Sequence, residues 1–244
     1  LLIHKGGLYK TERFGKPKYI GDPLNAVRIF NEKEVDELMI LDIDASRECR
    51  EPDYKLLANL ALECRMPLSY GGGVKNVGQM DRIIGLGVEK VAISSAAVDK
   101  PELIQEAALR LGSQSVVVVI DVKRIGLFRK YEVVTLNATN RTGFEPAFWA
   151  AQVQKLGAGE IVLNSVDNDG AMKGYDFELI ESVRNSVSTP LTVLGGAGSL
   201  NDICSLVSRY GIIGAGAGSL FVFKGKYRAV LINYPSREEK YGIY

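Results

Sequence analysis

The 244 residues contain one histidine, one tryptophan and three cysteines. With His4 alone, a histidine-built metal site and a Ser-His-Asp triad are both excluded. Cys49, Cys64 and Cys204 are odd in number, far apart and without metal-ligand spacing. Reduced thiols in a cytoplasmic protein are therefore expected, with neither a disulfide framework nor a metal. No apolar run reaches the roughly 18 residues that a membrane span needs. An excess of one charge is missing too. Lys and Arg number 30 against 29 Asp and Glu, and the resulting +1 gives no overall pull toward nucleic acid or a membrane surface. Low-complexity stretches and domain linkers are also lacking. The chain opens Leu1-Leu2-Ile3 without Met, which is not a signal peptide. It reads as the end of a strand whose start is truncated.

What the chain does have is an internal repeat. Leu41-Asp42-Ile43-Asp44 aligns with Asn164-Ser165-Val166-Asp167, Asp53 with Asp176, Pro67-Leu68 with Pro190-Leu191, and Gly72-Gly73 with Gly195-Gly196. A one-residue slip later sets Ser95 on Ser219. The period is too long for a solenoid unit and describes two fused halves.

Strands and helices alternate along both halves. Strands are expected over 1–3, 38–44, 66–70, 90–94, 115–121, 160–164, 191–194 and 212–217. Asp22 with Pro23 opens a helix as N-cap and first helical residue, and Asp53 caps another through residue 65. Further helices are expected from about 76, and over 101–111, 146–156, 176–185, 199–210 and about 226–233. A hairpin over 127–135 interrupts the alternation. The strand interiors are nearly continuous apolar runs, as parallel strands covered on both faces require. Eight such units and a two-half repeat predict an α/β fold, a (β/α)8 TIM barrel with an internal twofold half-barrel repeat, over 1–244 as a single domain.

In such barrels the chemistry sits at the C-terminal strand ends. There the sequence places Asp42, Asp44 and Ser46, then Gly71-Gly72-Gly73, Ser94-Ser95, Asp121 with Lys123, Asp167 and Asp169-Gly170, Gly195-Gly196, and Gly218-Ser219. A glycine loop followed by a helix brings backbone N–H groups close to an anion, and a neighbouring serine adds a hydroxyl. Two glycine/serine pairs at repeat-related positions predict two phosphate sites. Glycines that merely make tight turns would explain one loop but not the pairing. Asp121 closes a fully apolar strand and is the first candidate for acid/base work. Asp169 is a candidate on equal terms with a structural role, and Asp42 and Asp44 are as readily structural, paired with Lys or Arg. The run 214–218 imitates a dinucleotide fingerprint, but Ser219 replaces its last glycine and too little chain follows. The run 167–170 imitates a calcium loop with its glycine misplaced. At the opposite end Glu37, Lys90 and Glu160 stand at strand starts. They form either a salt-bridged stability layer or a gate to a passage through the barrel.

Val-Asp-Glu-Leu at 35–38, Gly-Gly-Gly at 71–73, Gly-Ser-Gln-Ser-Val-Val at 112–117, Ile-Asp-Val-Lys-Arg at 120–124, Gly-Ala-Gly-Glu-Ile at 157–161, Asp-Asn-Asp-Gly at 167–170 and Gly-Gly-Ala-Gly at 195–198 carry a resemblance over essentially the whole chain. It resembles the HisF family, the cyclase subunit of imidazole glycerol phosphate synthase. The resemblance implies a twofold-symmetric barrel, no cofactor, a ligand with a phosphate at each end, and ammonia received from a HisH-like glutaminase on the N-terminal face. It implies phosphate binding by Gly73, Ser94 and Ser95 at one end and by Asp169, Gly170, Gly196, Gly218 and Ser219 at the other. It implies an ammonia gate of Glu37, Lys90 and Glu160, the fourth gate residue, an arginine, falling before Leu1. Of the family's two catalytic aspartates one matches Asp121, while the other falls on Leu2, which cannot transfer a proton. The family's first-loop lysine matches Lys10, but His4-Lys5-Gly6-Gly7 departs from the usual Lys-Asp-Gly pattern.

Residues 14–23 and the run 218–235 resemble a branch of HisF-like proteins associated with lipopolysaccharide O-antigen sugar genes. What that implies is ammonia supplied to a separate ATP-dependent sugar amidotransferase, which turns an acetamido into an acetamidino group. Two alternatives accompany it: the cyclase of histidine biosynthesis, and a catalytically silent scaffold that activates the glutaminase.

Overall fold

A computed structural model describes residues 1–243. Its central sheet contains eight strands that lie side by side in chain order and run parallel: β1 Leu2–His4, β2 Leu38–Asp42, β3 Leu68–Gly71, β4 Lys90–Ile93, β5 Val116–Ile125, β6 Glu160–Ser165, β7 Leu191–Leu194 and β8 Gly214–Ala215. Sequential order with parallel pairing throughout is the topology of a (β/α)8 barrel, and the sheet curls accordingly. On its other side β1 pairs antiparallel with Gly7–Lys10, which pairs in turn with Lys18–Gly21, and no ladder joins β8 to this side of the sheet among the described residues.

The helices are α1 Pro23–Glu32, α2 Tyr54–Glu63, α3 Val77–Gly85, α4 Ser95–Asp99, α5 Glu102–Leu111, α6 Pro146–Lys155, α7 Phe177–Arg184, α8 Leu200–Tyr210, α9 Ser219–Val222 and α10 Arg237–Tyr241. Their starts follow capping chemistry. Asp22, Asp53, Asn76, Asp176 and Ser199 each accept a backbone N–H from the third residue on. The buried helix faces, among them Val27, Leu60, Ile83, Ile104, Val153, Ile180 and Leu206, pack with strand residues into the main core. A second, small cluster of Ala92, Val117, Val119 and Val162, backed by Met39, Leu41 and Leu194, lies on the side of the barrel interior. Alternate residues of one strand thus serve the two sides.

The repeat survives in atomic detail. Gly72 (φ +118°) and Gly195 (φ +91°) both sit in conformations that disfavour a side chain. A Cβ on the first would strike the Asp42 carbonyl, and on the second the Ser165 carbonyl, positions that are themselves repeat-related. Asn76 and Ser199 cap equivalent helices. Lys75 N–H donates to Gln79 Oε1 at 2.7 Å as Gly198 N–H donates to Asp202 Oδ2 at 2.9 Å.

Three expectations are corrected. No helix occupies 226–233; a hairpin pairs Phe223–Lys224 with Ala229–Val230 instead. Its turn is made by Gly225 (φ +73°) and Arg228 (φ +49°), a geometry no helix admits. The eighth helical unit starts earlier, as α9 directly at Ser219, and α10 follows the hairpin. The strand expected over 212–217 is laddered only at Gly214–Ala215. The hairpin expected over 127–135 is larger. β5 continues past Asp121 to Ile125 and pairs antiparallel with Lys130–Thr135, because Val122 and Ile125 keep the extended, partly apolar pattern going.

Candidate functional site

A cavity of about 650 Å³ occupies the barrel. Its lining runs from Glu37 and Glu160 at the N-terminal end, past Leu2, Met39, Val119 and Leu194, to Gly72, Ser94, Asp121 and Asp169 at the C-terminal end. The middle is apolar and the two ends are polar.

At the N-terminal end Lys90 Nζ lies 3.0 Å from Glu37 Oε1 and 2.9 Å from Glu160 Oε2. Each carboxylate is braced by a hydroxyl from the next strand, Ser69 Oγ donating to Glu37 at 2.8 Å and Thr192 Oγ1 to Glu160 at 2.7 Å. These two braces are repeat-related, and among the described residues Lys90 is the single cation paired with both carboxylates. Burial works against the Lys90 ammonium, but its hydrogen bonds to Glu160 and Glu37 prevail and hold its pKa above the ordinary lysine value.

At the C-terminal end Asp121 and Asn164 are register partners on β5 and β6, so both side chains enter the interior. Asn164 Nδ2 donates to Asp121 Oδ1 at 2.8 Å. Asp121 lies deep in the barrel, and burial pushes its pKa up to about 6. The Asn164 and Ser94 hydrogen bonds pull it down, and the nearby Asp169 charge adds to the rise. A carboxyl poised near neutrality can accept or donate a proton, which an ordinary aspartate does poorly. Leu2 lines the same cavity and presents no titratable group.

The first glycine loop brings Gly72, Gly73, Ser94 and Ser95 to one wall of the cavity. Gly73 N–H donates to Ser46 Oγ at 3.1 Å, and Ser95 Oγ accepts from Leu136 N–H at 3.2 Å. The second loop gathers Asp169, Gly170, Gly195, Gly196, Gly218 and Ser219 around a recess of about 10 Å³. Lys10 enters this cradle: its Nζ lies in the space that a Cβ on Gly218 would take. Burial drives the Lys10 pKa below the ordinary lysine value, opposed by the Asp169 charge. Burial likewise raises Asp169, opposed by Lys10. Ser219 Oγ, Thr11 Oγ1 and Asn164 Oδ1 are buried without a hydrogen-bond partner. Orphaned buried oxygens are rare in folded proteins, and here all three lie at the C-terminal end of the barrel, beside Asp121, Asp169 and Gly170.

Asp42 and Asp44 are held in structural contacts. Asp42 Oδ1 accepts the N–H groups of Asp44 and Ala45, both at 3.0 Å, with Arg50 at 3.7 Å. Burial raises its pKa against those bonds. Asp44 is paired with neither Lys nor Arg side chains: it bonds His4 Nδ1 at 2.8 Å and the Lys5 N–H at 2.8 Å. Burial alone would raise Asp44, but these bonds bring it below the ordinary carboxylate value. The chain's one histidine therefore ties the end of the first strand to the loop that follows the second.

Sequence reasoning missed Asn164. Its signal was present: the repeat sets it opposite Leu41, a polar residue facing the interior where the other half is apolar. Thr11 carried no such signal, because only folding brings its loop under Gly170.

Comparison with known proteins follows this geometry. The family described as "Histidine biosynthesis protein" matches residues 3–228. A Leptospira interrogans protein named "Putative imidazole glycerol phosphate synthase subunit HisF" is 56% identical over 244 residues, covering 100% of this chain and 96% of the relative. A Leptospira borgpetersenii protein with the same name is 54% identical, covering 100% and 96%. The "Imidazole glycerol phosphate synthase subunit HisF" of Lactococcus lactis subsp. cremoris is 40% identical over 207 residues, covering 85% of this chain and 80% of the relative.

Proposed function

The chain belongs to the HisF family of histidine biosynthesis proteins, and on that premise we propose that it is the ammonia-receiving synthase subunit of a glutamine amidotransferase. A HisH-like glutaminase docks on the N-terminal face and releases ammonia at Glu37, Lys90 and Glu160. Ammonia passes the apolar interior as the neutral base, and a separate ATP-dependent amidotransferase uses it to turn an acetamido into an acetamidino group on a surface-polysaccharide sugar. The two glycine/serine cradles bind a phosphorylated ligand, which signals occupancy to the glutaminase.

The observation that carries this is the pairing of Leu2 with Asp121 across one cavity that runs between both barrel ends. A cyclase needs two proton-transfer groups there and finds one. Losing an acid/base partner costs roughly 10²–10⁴ in rate, whereas a conduit needs neither. Opening the conduit requires Lys90 to leave at least one of its two carboxylates, since all three groups converge at the entrance.

The cyclase of histidine biosynthesis is the second reading, and the Asp121 carboxyl near pH 6 beside two intact cradles favours it. Supplying the purified chain with ammonia and the histidine-pathway ribulotide separates the two. Turnover at an ordinary enzymatic rate defeats the proposal, and its absence defeats the cyclase. A silent scaffold predicts that Asp121→Asn leaves amidination by the full complex untouched.

A further inference from the structure

Three hairpin segments rise around the C-terminal mouth, and their composition is one-sided. Residues 13–21, 123–131 and 223–231 contain ten of the 30 Lys and Arg and none of the 29 Asp and Glu. A near-neutral chain thus concentrates a third of its cations on one rim. All three segments belong to that face. Arg13 N–H donates to the Asp169 carbonyl at 2.8 Å and Lys18 Nζ to the Arg228 carbonyl at 2.8 Å. Arg228 bonds Glu12 at 2.9 Å and also the Gly170 carbonyl. The β5 extension runs three residues, roughly 10 Å, beyond its last pairing with β6 at Val122.

Arg124 and Arg228 are spent on internal ion pairs. Lys16, Lys123, Arg129, Lys130, Lys224 and Lys226 form no ion pair among the described residues. Cations alone would suit the capture of a phosphorylated ligand. The apolar residues at the tips would not. Leu127 is 98% exposed, Phe128 87% and Tyr227 89%, and Arg129 follows Phe128 as Lys226 precedes Tyr227 in the same turns. Large apolar side chains held out in water at hairpin tips are what a macromolecular interface buries first.

We infer that the C-terminal rim is a docking surface for an acidic protein, with Leu127, Phe128 and Tyr227 as its apolar anchors and the surrounding lysines as its electrostatic guide. This rests on the ammonia-delivery reading, for which the occupant is the enzyme that consumes ammonia. Neutral ammonia leaving the mouth into water is lost to protonation and dilution, so a conduit without chemistry of its own needs a receiver seated over its exit. The cationic rim calls for an acidic receiver by charge complementarity. A bilayer over the same rim would cover the exit without taking up ammonia.

The test uses the chain in complex with a HisH-like glutaminase and an ATP-dependent sugar amidotransferase that forms acetamidino groups, with affinity read by biolayer interferometry at low and high salt. Leu127→Asp/Phe128→Asp and Lys226→Glu/Tyr227→Asp should each weaken binding by about 30-fold or more. High salt should weaken the wild type. Glutaminase activity of the binary complex should stay unchanged, which controls for folding. Wild-type affinity in both variants, or no affinity in the wild type, overturns the inference. Loss of retention on phosphatidylglycerol vesicles with the protein complex unaffected also overturns it, in favour of a membrane. The ammonia-delivery reading fails separately: the three-protein mixture would then form amidino product, read by mass spectrometry, from ammonium salt but not from glutamine.

Discussion

Asp121→Asn should make the protein more stable, and the gain should depend on pH. The Asp121 carboxyl has a pKa of about 6 in the fold against 3.8 for an unperturbed aspartate. Between those values the native state holds a proton that the unfolded state has released, so stability falls as pH rises. Below about pH 4 both states are protonated and no penalty exists. Above about pH 7 both are ionised and the penalty is complete. Two pKa units correspond to roughly 3 kcal/mol. Asparagine never ionises, and its Oδ1 can still accept the Asn164 Nδ2 hydrogen bond seen at 2.8 Å. The variant should therefore gain about 3 kcal/mol on the wild type in going from about pH 4 to pH 8. For a chain of this size that is a Tm difference of roughly 6–12 °C. Thermal and urea unfolding of both proteins across that range measure it. A stability difference that stays constant with pH, or that shrinks as pH rises, would refute the reasoning, because it would mean that Asp121 is hydrated and titrates ordinarily. Stability gained by removing a buried charge marks a group that is not there to stabilise the fold.

Other outcomes follow from the same geometry. Gly72→Ala and Gly195→Ala should each cost about 1–3 kcal/mol from backbone strain and more from the displaced carbonyl, seen as a lowered urea midpoint; near-wild-type stability would contradict the collisions described. Ser199→Ala, which removes one half of the α8 capping box, should lose about 1 kcal/mol, or roughly 2–4 °C in Tm. Lys90→Met leaves two carboxylates facing one another without their ammonium. It should cost about 1 kcal/mol, checked by urea unfolding against the wild type. Inorganic phosphate should raise the Tm by binding the native cradles, by up to about 2.7 kcal/mol at 100 times its Kd, and Ser219→Ala should reduce that shift; a phosphate-insensitive Tm would argue against the cradle assignment.

The eight βα units, the helix caps and the repeat were legible in the chain because each rests on local rules. Apolar runs make buried strands, Asp, Asn and Ser before a helix satisfy its first N–H groups, and glycine supplies conformations that other residues avoid. The repeat named the paired glycine loops, the end of an apolar strand named Asp121, and the strand starts named the charged trio Glu37, Lys90 and Glu160. The tail was not legible. Residues 226–233 have helix-compatible composition, and only Gly225 and Arg228 in left-handed conformations turn them into a hairpin.

Tertiary structure decided what each named residue faces. It set Asn164 against Asp121, brought Lys10 and Thr11 from the first loop under Gly170 and Gly218, gave Asp44 to the lone histidine, and joined both barrel ends through one cavity. None of these follows from spacing, because each depends on which strand neighbours which and on how far burial strips water from a charge. The repeat specifies where loops recur along the chain. Only the packing of the halves against one another determines which side chain is left buried and unpaired, and therefore available for a ligand or a proton.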